Sequence, residues 1–290
     1  MKSGAKKIIV GFNLNHEWFK DRIFGEVVEP LIEEGLGALE LHLDLRVPEI
    51  ARHIEGLCEN AVQSGLGLSF HAPFLDPPFM YGFARDNRET LIGQWKPILD
   101  LVNRYAGANG IRTEITMHGA HGPGASYQDL FDDTVAIASW ILEYCPEIWL
   151  GIENLPVPRR PDEMVKYGED RQTTLDAVQA VGHSRCGITW DMGHCVRDKV
   201  FTLPDPEWTC RVIHAHVHDV DDHRQDHWPL MLGKTPYKEW IGHLVAAGFS
   251  GTMTAELNGT LYSDWSQAEI DAQLVETIKE IKMAVDQALT

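Results

Sequence analysis

Residues 186–194 read CGITWDMGH. In an extended chain, Gly187, Thr189 and Asp191 share one face, and Ile188 and Trp190 share the other. The first face is small or polar and ends in a carboxylate; the second is large and apolar. That pattern suits a strand covered by helices on one side and lining a narrow interior on the other.

The same alternation recurs outward from this segment. Thr252 and Thr254 lead to Glu256, Thr116 leads to His118, and Ser69 leads to His71. The opposite faces carry Leu68, Phe70, Ile115, Met117, Leu150, Ile152 and Met253. Eight short apolar runs span Ile8–Phe12, Ala38–Leu43, Leu66–His71, Ile111–His118, Ile148–Asn154, Cys186–Asp191, Arg211–His218 and Gly251–Leu257. Between them, stretches such as Arg88–Ala106, Asp129–Tyr144 and Gln267–Leu289 place apolar residues at helical spacing. Gly or Pro marks most junctions. Eight strands alternating with helices predict an α/β fold, a single (β/α)8 TIM barrel forming one domain over residues 1–290. An open doubly wound sheet is the alternative, but no GxGxxG turn follows the first strand. The weakest helix is the sixth, within Met192–Cys210, which holds two prolines and little periodicity.

Ionisable residues stand where such a barrel keeps its chemistry, at the carboxyl ends of strands. The third strand offers His71, the fourth His118, the fifth Glu153, and the sixth Asp191 with His194 three residues on. The seventh offers His216 and the eighth Glu256. One strand-end carboxylate or imidazole is usually a solvated or paired surface group. Seven of them converging in one mouth would repel or resist desolvation unless a cation binds them. Mixed His and carboxylate ligation suits a divalent Zn, Mn, Co or Fe ion. His214, His216 and His218 alternate, which puts His214 one layer deeper as a hydrogen-bonded core residue and His218 with Asp219 at the rim. His121 competes with His118, and Cys195 is a weak soft-ligand candidate.

The ordered segments HAPF (71–74), MHG (117–119), GIEN (151–154), WDMGH (190–194), HVHD (216–219) and AELN (255–258) resemble the xylose-isomerase-like TIM-barrel superfamily over nearly the whole chain. That superfamily includes sugar isomerases and epimerases, inosose dehydratase and endonuclease IV. The resemblance implies that Glu153, Asp191, His216 and Glu256 are metal ligands, and that Glu153 and Glu256 also move protons on the substrate. It implies a second-metal or substrate-binding role for His71, His118, His194, His227 and Asp226, equivalents of which help hold three zinc ions in endonuclease IV. One segment departs from that enzyme's pattern. Its Asp-x-His is here Gln225-Asp226-His227, so the carboxylate is shifted by one residue, and the following turn reads Gly233-Lys234-Thr235. One ion is expected, with up to three conceivable.

Arg159, beside Arg160 in a Pro-rich loop, and Lys234 are candidate substrate-binding cations. The apolar loop Phe74–Arg85 reads as a lid, an interface or packing over a barrel edge.

Composition narrows the partners. The chain has 290 residues, with 25 Lys or Arg against 43 Asp or Glu, a formal net charge of −18. A duplex binder needs a basic footprint to displace counterions, so nucleic acid is disfavoured. No apolar run reaches the ~18 residues of a membrane span, and the first ten residues do not resemble a signal peptide. Five cysteines without a CxxC pair fit reduced thiols and a cytoplasmic location. The resemblance, taken with the strand-end ligand set, implies a divalent-metal-dependent isomerase, epimerase or related dehydratase. Its expected substrate is a small sugar, polyol or hydroxy-acid, and its expected route a metal-stabilised enediolate. An endonuclease IV-like zinc phosphodiesterase acting on abasic-site DNA is the alternative, and a non-catalytic ligand-binding barrel the third reading. A homo-oligomer is compatible with the sequence.

Overall fold

The computed structural model describes residues 8–14, 22–44, 50–74, 80–158 and 165–290. The strands are β1 (Ile9–Leu14), β2 (Ala38–His42), β3 (Gly67–His71), β4 (Glu114–Met117), β5 (Trp149–Glu153), β6 (Cys186–Asp191), β7 (Val212–Val217) and β8 (Thr252–Ala255). They pair in sequence order and close into a parallel (β/α)8 barrel, not an open doubly wound sheet. The helices between and after them are α1 (Phe24–Glu33), α2 (Ile50–Gln63), α3 (Arg88–Tyr105), α4 (Tyr127–Tyr144), α5 (Arg171–Val181), α6 (Met192–Arg197), α7 (Pro206–Thr209), α8 (Tyr237–Ala246) and α9 (Gln267–Leu289). Two compact units make up the chain, residues 41–190 and residues 1–40 with 191–290.

In residues 41–190, β3, β4, β5 and β6 pair in register, with His71 opposite Thr116, Met117 opposite Ile152 and Glu153 opposite Thr189. Phe70, Ile115, Met117, Leu150, Ile152, Ile188 and Trp190 are buried, as the alternation predicts. On the other face the hydroxyls of Thr116 and Thr189 lie 3.1 Å apart. Gly151 makes that approach feasible, since an added Cβ would sit 2.1 Å from Thr189 Oγ1. Helix α4 begins with a reciprocal cap between Ser126 and Asp129 and buries Leu130, Ile137 and Ile141. Such a cap is worth about 1 kcal/mol.

The segment after β3 is docked rather than loose at its far end. Buried Asp133 of α4 accepts the backbone N–H groups of Gly82 at 2.7 Å and Ala84 at 2.8 Å, and Arg85 Nη2 at 2.8 Å. Residues 82–85 are therefore anchored on α4; residues 75–79 of the Phe74–Arg85 loop lie outside the described residues.

In the other unit, β7, β8 and β1 pair with His216 opposite Thr254 and Val10 opposite Met253. Helix α9 starts with a reciprocal Ser266–Glu269 cap and buries Ile270, Leu274, Ile278, Ile281 and Val285, the single stripe its 3.6-residue period predicts. Between β6 and β7 there is no continuous helix. The chain forms only the six-residue α6, which stops just before the left-handed Lys199 (φ +62°), and the four-residue α7, which begins at Pro206, a first-turn position that suits proline. None of the described helices is long and apolar enough to cross a membrane. All five cysteines are free thiols, four of them buried.

Candidate metal centre

Asp191 ends β6 and also caps α6. Its Oδ1 accepts the backbone N–H of His194 at 2.6 Å, which fixes the carboxylate at the strand–helix junction. His218 Nε2 lies 3.0 Å from both carboxylate oxygens, and His194 Nδ1 lies 3.4 Å from Oδ2. The His227 ring stacks on His218, with centroids 4.3 Å apart and planes 9° apart. Ligand atoms of Asp191, His194, His218 and His227 all fall within 4.8 Å of one another. The backbone N–H of His227 donates to His218 Nδ1 at 2.9 Å, so Nε2 carries the His218 proton and donates it to Asp191. His227 itself has φ +66°, a left-handed conformation that non-glycine residues seldom adopt.

His218 and Asp219 correct the sequence reading, which put both at the rim; both are fully buried. The Asp219 carboxylate accepts the backbone N–H groups of Val220, Leu232, Gly233, Lys234 and Thr235. Thr235 Oγ1 then donates to the His218 carbonyl at 2.8 Å. This turn holds His218 inward, over Gly193, where an added Cβ would stand 1.9 Å from His218 Cε1.

Next to this group, His216 Nδ1 lies 2.9 Å from Glu256 Oε2 and 3.7 Å from Asp191 Oδ2. Glu256 Oε2 is also 3.3 Å from His227 Nε2. Burial pushes the carboxyls of Asp191 and Glu256 up, but the surrounding imidazoles outweigh it and hold both below the usual range. Burial lowers His227 and the nearby Glu256 and Asp226 more than reverse this, so it lies well above its ordinary value. Asp226 lies 3.3 Å from His227 Nδ1, while its Oδ2 accepts Arg197 Nη1 at 2.6 Å. The shifted carboxylate thus reaches the site with an Arg already on it.

The sequence reading missed Glu40. This fully buried β2 carboxylate meets His214 Nε2 at 2.7 Å and His216 Nε2 at 3.1 and 3.3 Å. His214 is, as expected, a hydrogen-bonded residue one layer deeper. Burial raises the Glu40 carboxyl, but His216 and then His214 pull it well below its ordinary value. The signal was present in ALELH (38–42): a carboxylate in the middle of an apolar strand is buried at great cost unless it is paired.

In residues 41–190, Glu153 ends β5 and gathers two imidazoles. Its Oε2 lies 3.0 Å from His118 Nε2 and 3.4 Å from His71 Nε2. His71 Nδ1 donates to the Ala72 carbonyl at 2.9 Å, which leaves the Nε2 lone pair facing Glu153. Phe74 walls this group, its ring 4.9 Å from His71 and 4.7 Å from His118. Burial lowers His118 to about 3 against the opposing pull of Glu153. His121 is buried, and its backbone forms an isolated antiparallel bridge with that of Lys166. Cys195 is buried and belongs to none of the clusters that bring ligand atoms together among the described residues. Lys234 Nζ pairs with exposed Asp222 at 2.6 Å. Arg159 and Arg160 lie outside the described residues.

The donor set fits a divalent ion. Asp191, His216 and Glu256 bring oxygen, nitrogen and oxygen donors of the kind that hold zinc or manganese. His216 turns its Nε2 to Glu40 and so offers Nδ1 to the other two. Without a cation, these carboxylates crowd a buried site around ring nitrogens.

Residues 28–281 match the family model of the xylose isomerase-like TIM barrel, and the chain belongs to that family. Among solved structures it is similar to a D-tagatose 3-epimerase-like protein at 19% identity and TM-score 0.66, covering 98% of this chain and 100% of that one. It is similar to D-psicose 3-epimerase, solved in the presence of D-fructose, at 13% identity and TM-score 0.68, covering 96% and 99%. It also matches the IOLI protein with a binding zinc atom, at 12% identity and TM-score 0.69, covering 97% and 99%. At these identities the likeness is one of fold. No curated protein matches the chain.

Proposed function

We propose that the chain is a divalent-metal-dependent isomerase or epimerase of a small sugar, with a ketose as the leading substrate class. The observation that carries this reading is the buried Asp191–His216–Glu256 cluster, on a barrel whose structural neighbours include ketose 3-epimerases. Glu153 is the proposed fourth ligand: it ends β5 opposite Thr189, two residues before Asp191 on the paired strand.

When bound, the ion supplies Lewis-acid stabilisation of negative charge developing on substrate oxygens. The protein supplies the proton chemistry. Glu153 and Glu256 are the proposed acceptor and donor at the carbon whose configuration changes: the ionised carboxylate would take the proton from one face, and the other, in its protonated form, would return one to the opposite face. His71 and His118 are proposed to contact substrate, His118 as a neutral imidazole. His194 and His227 are proposed as holders of a second ion or of substrate, with Asp226 beside them. Arg159 and Lys234 remain candidate anion contacts.

The test is solvent exchange. Protein stripped of metal and reloaded with manganese, cobalt or zinc is incubated with ketohexoses in deuterium oxide. Deuterium should enter the substrate at the epimerised carbon, and Glu153→Gln should abolish this while leaving the circular dichroism spectrum unchanged. Reloaded protein that exchanges no ketose proton but incises an abasic-site duplex would replace this reading with the phosphodiesterase one.

A further inference from the structure

We infer that Glu40 is a positioning residue for the metal centre: it fixes the ring orientation and tautomer of His216, so that Nδ1 is the nitrogen offered to the ion. This rests on the proposed reading of His216 as a metal ligand.

An imidazole has two nitrogens, and a buried one without a fixed partner can present either. His216 is fully buried and has carboxylates on both sides. On the Nε2 side stands Glu40, with both of its oxygens within 3.3 Å. On the Nδ1 side stand two strand-end carboxylates, Glu256 and Asp191. An ionised carboxylate only accepts hydrogen bonds, so Glu40 requires a proton on the nitrogen facing it. That keeps a proton on Nε2 whether or not Nδ1 also carries one toward Glu256, so Nδ1, where Glu256 and Asp191 converge, is the nitrogen that would give up its proton to an ion.

Glu40 is itself prevented from turning away. His214 Nε2 holds its Oε2 at 2.7 Å, and Thr254 Oγ1 lies 3.2 Å from that same nitrogen. Register reinforces the arrangement: His214 and His216 face the same side of β7 and pair with Thr252 and Thr254 of β8. One buried carboxylate clamps two imidazoles of one strand, and only the outer one reaches the candidate ligand set. Carboxylate partners of this kind raise a ligand's basicity, and removing them costs about 10–100-fold in metal affinity.

The test uses the full-length protein with zinc as the probe. In Glu40→Gln, zinc affinity measured by chelator competition should fall ~10–100-fold at unchanged stoichiometry. Long-range proton–nitrogen NMR of the wild type should show His216 protonated at Nε2 both without and with zinc, and unprotonated at Nδ1 once zinc is bound. Glu40→Asp, which keeps the charge but shortens the reach, should retain the Nε2 proton and recover part of the lost affinity. Wild-type zinc affinity in Glu40→Gln, or a zinc-loaded His216 protonated at Nδ1, would overturn the inference. So would loss of one zinc equivalent in Glu40→Gln, which would make Glu40 a ligand of its own ion. If Glu40→Gln fails to fold, the wild-type spectrum still decides the tautomer. If the wild type binds no zinc, the proposed function fails, while the Nε2 proton of the zinc-free protein tests the clamp separately.

Discussion

Two histidine-rich regions of this molecule solve the same burial problem differently. Around β7, His194, His214, His216, His218 and His227 are interleaved with Glu40, Asp191, Asp226 and Glu256, and each imidazole has a carboxylate within 3.4 Å. Around β3 to β5, His71 and His118 share the single carboxylate of Glu153 and pack against Phe74. The first region concentrates negative charge and would draw a cation. The second keeps an imidazole neutral by burial, His118 lying near 3, and so suits contact with an uncharged hydroxylated ligand. A buried histidine therefore says little by itself; the count of carboxylates around it tells a cation site from a ligand wall.

The largest expected difference is in metal affinity. Asp191→Asn should weaken zinc binding by more than the ~100-fold upper range of an outer-partner loss, whereas His71→Ala should cost the first ion less than ~10-fold. Equal losses in a chelator titration would break the contrast. Next comes packing. Gly193→Ala drives a methyl into His218, and overpacking of this kind costs ~1–3 kcal/mol. Denaturant unfolding should register that loss, and NMR of the His71 and His118 rings should stay as in the wild type.

The pH dependence of the metal-free protein sharpens the comparison further. His118 titrates at about 3 when folded, against an ordinary value of 6.5. Below pH 6.5 the unfolded chain takes up this proton and the folded one does not, so the stability contributed by neutral His118 is present above 6.5 and is lost as pH falls toward 3. Melting temperatures across that window should drop less steeply in His118→Gln. The smallest effect should follow Phe74→Ala. Opening the wall admits water to His118, and its titration by NMR should move up from about 3 toward 6.5; an unmoved value would show that Phe74 does not keep that side dry.

The barrel itself was legible in the sequence because alternation and helical period are local properties. Thr189 and Trp190 announce opposite faces of β6 without knowledge of any partner, and Gln267–Leu289 announces α9 by its stripe and its Ser266 cap. Strand ends were equally legible and offered seven candidates; it was the family resemblance that narrowed them to Glu153, Asp191, His216 and Glu256. What stayed hidden depends on distant partners. Glu40 lies within an apolar run and acquires meaning only from His214 and His216, more than 170 positions away. His218 looked like a rim residue because nothing local shows that Asp219 gathers the 232–235 turn over it. The sixth helix was the weakest element in the sequence because Met192–Cys210 has little periodicity, and that segment holds only two short helices.

Asp219 carries one more consequence. The turn at 232–235 takes its shape from four of its main-chain amides gripping one carboxylate, while Leu232 is exposed and the Lys234 side chain is half-exposed and paired with Asp222. Form and chemical character are uncoupled there. Evolution or a protein engineer can exchange residues 232 and 234 freely to alter what meets an incoming molecule, while the loop keeps its course and the histidines beneath it keep their places.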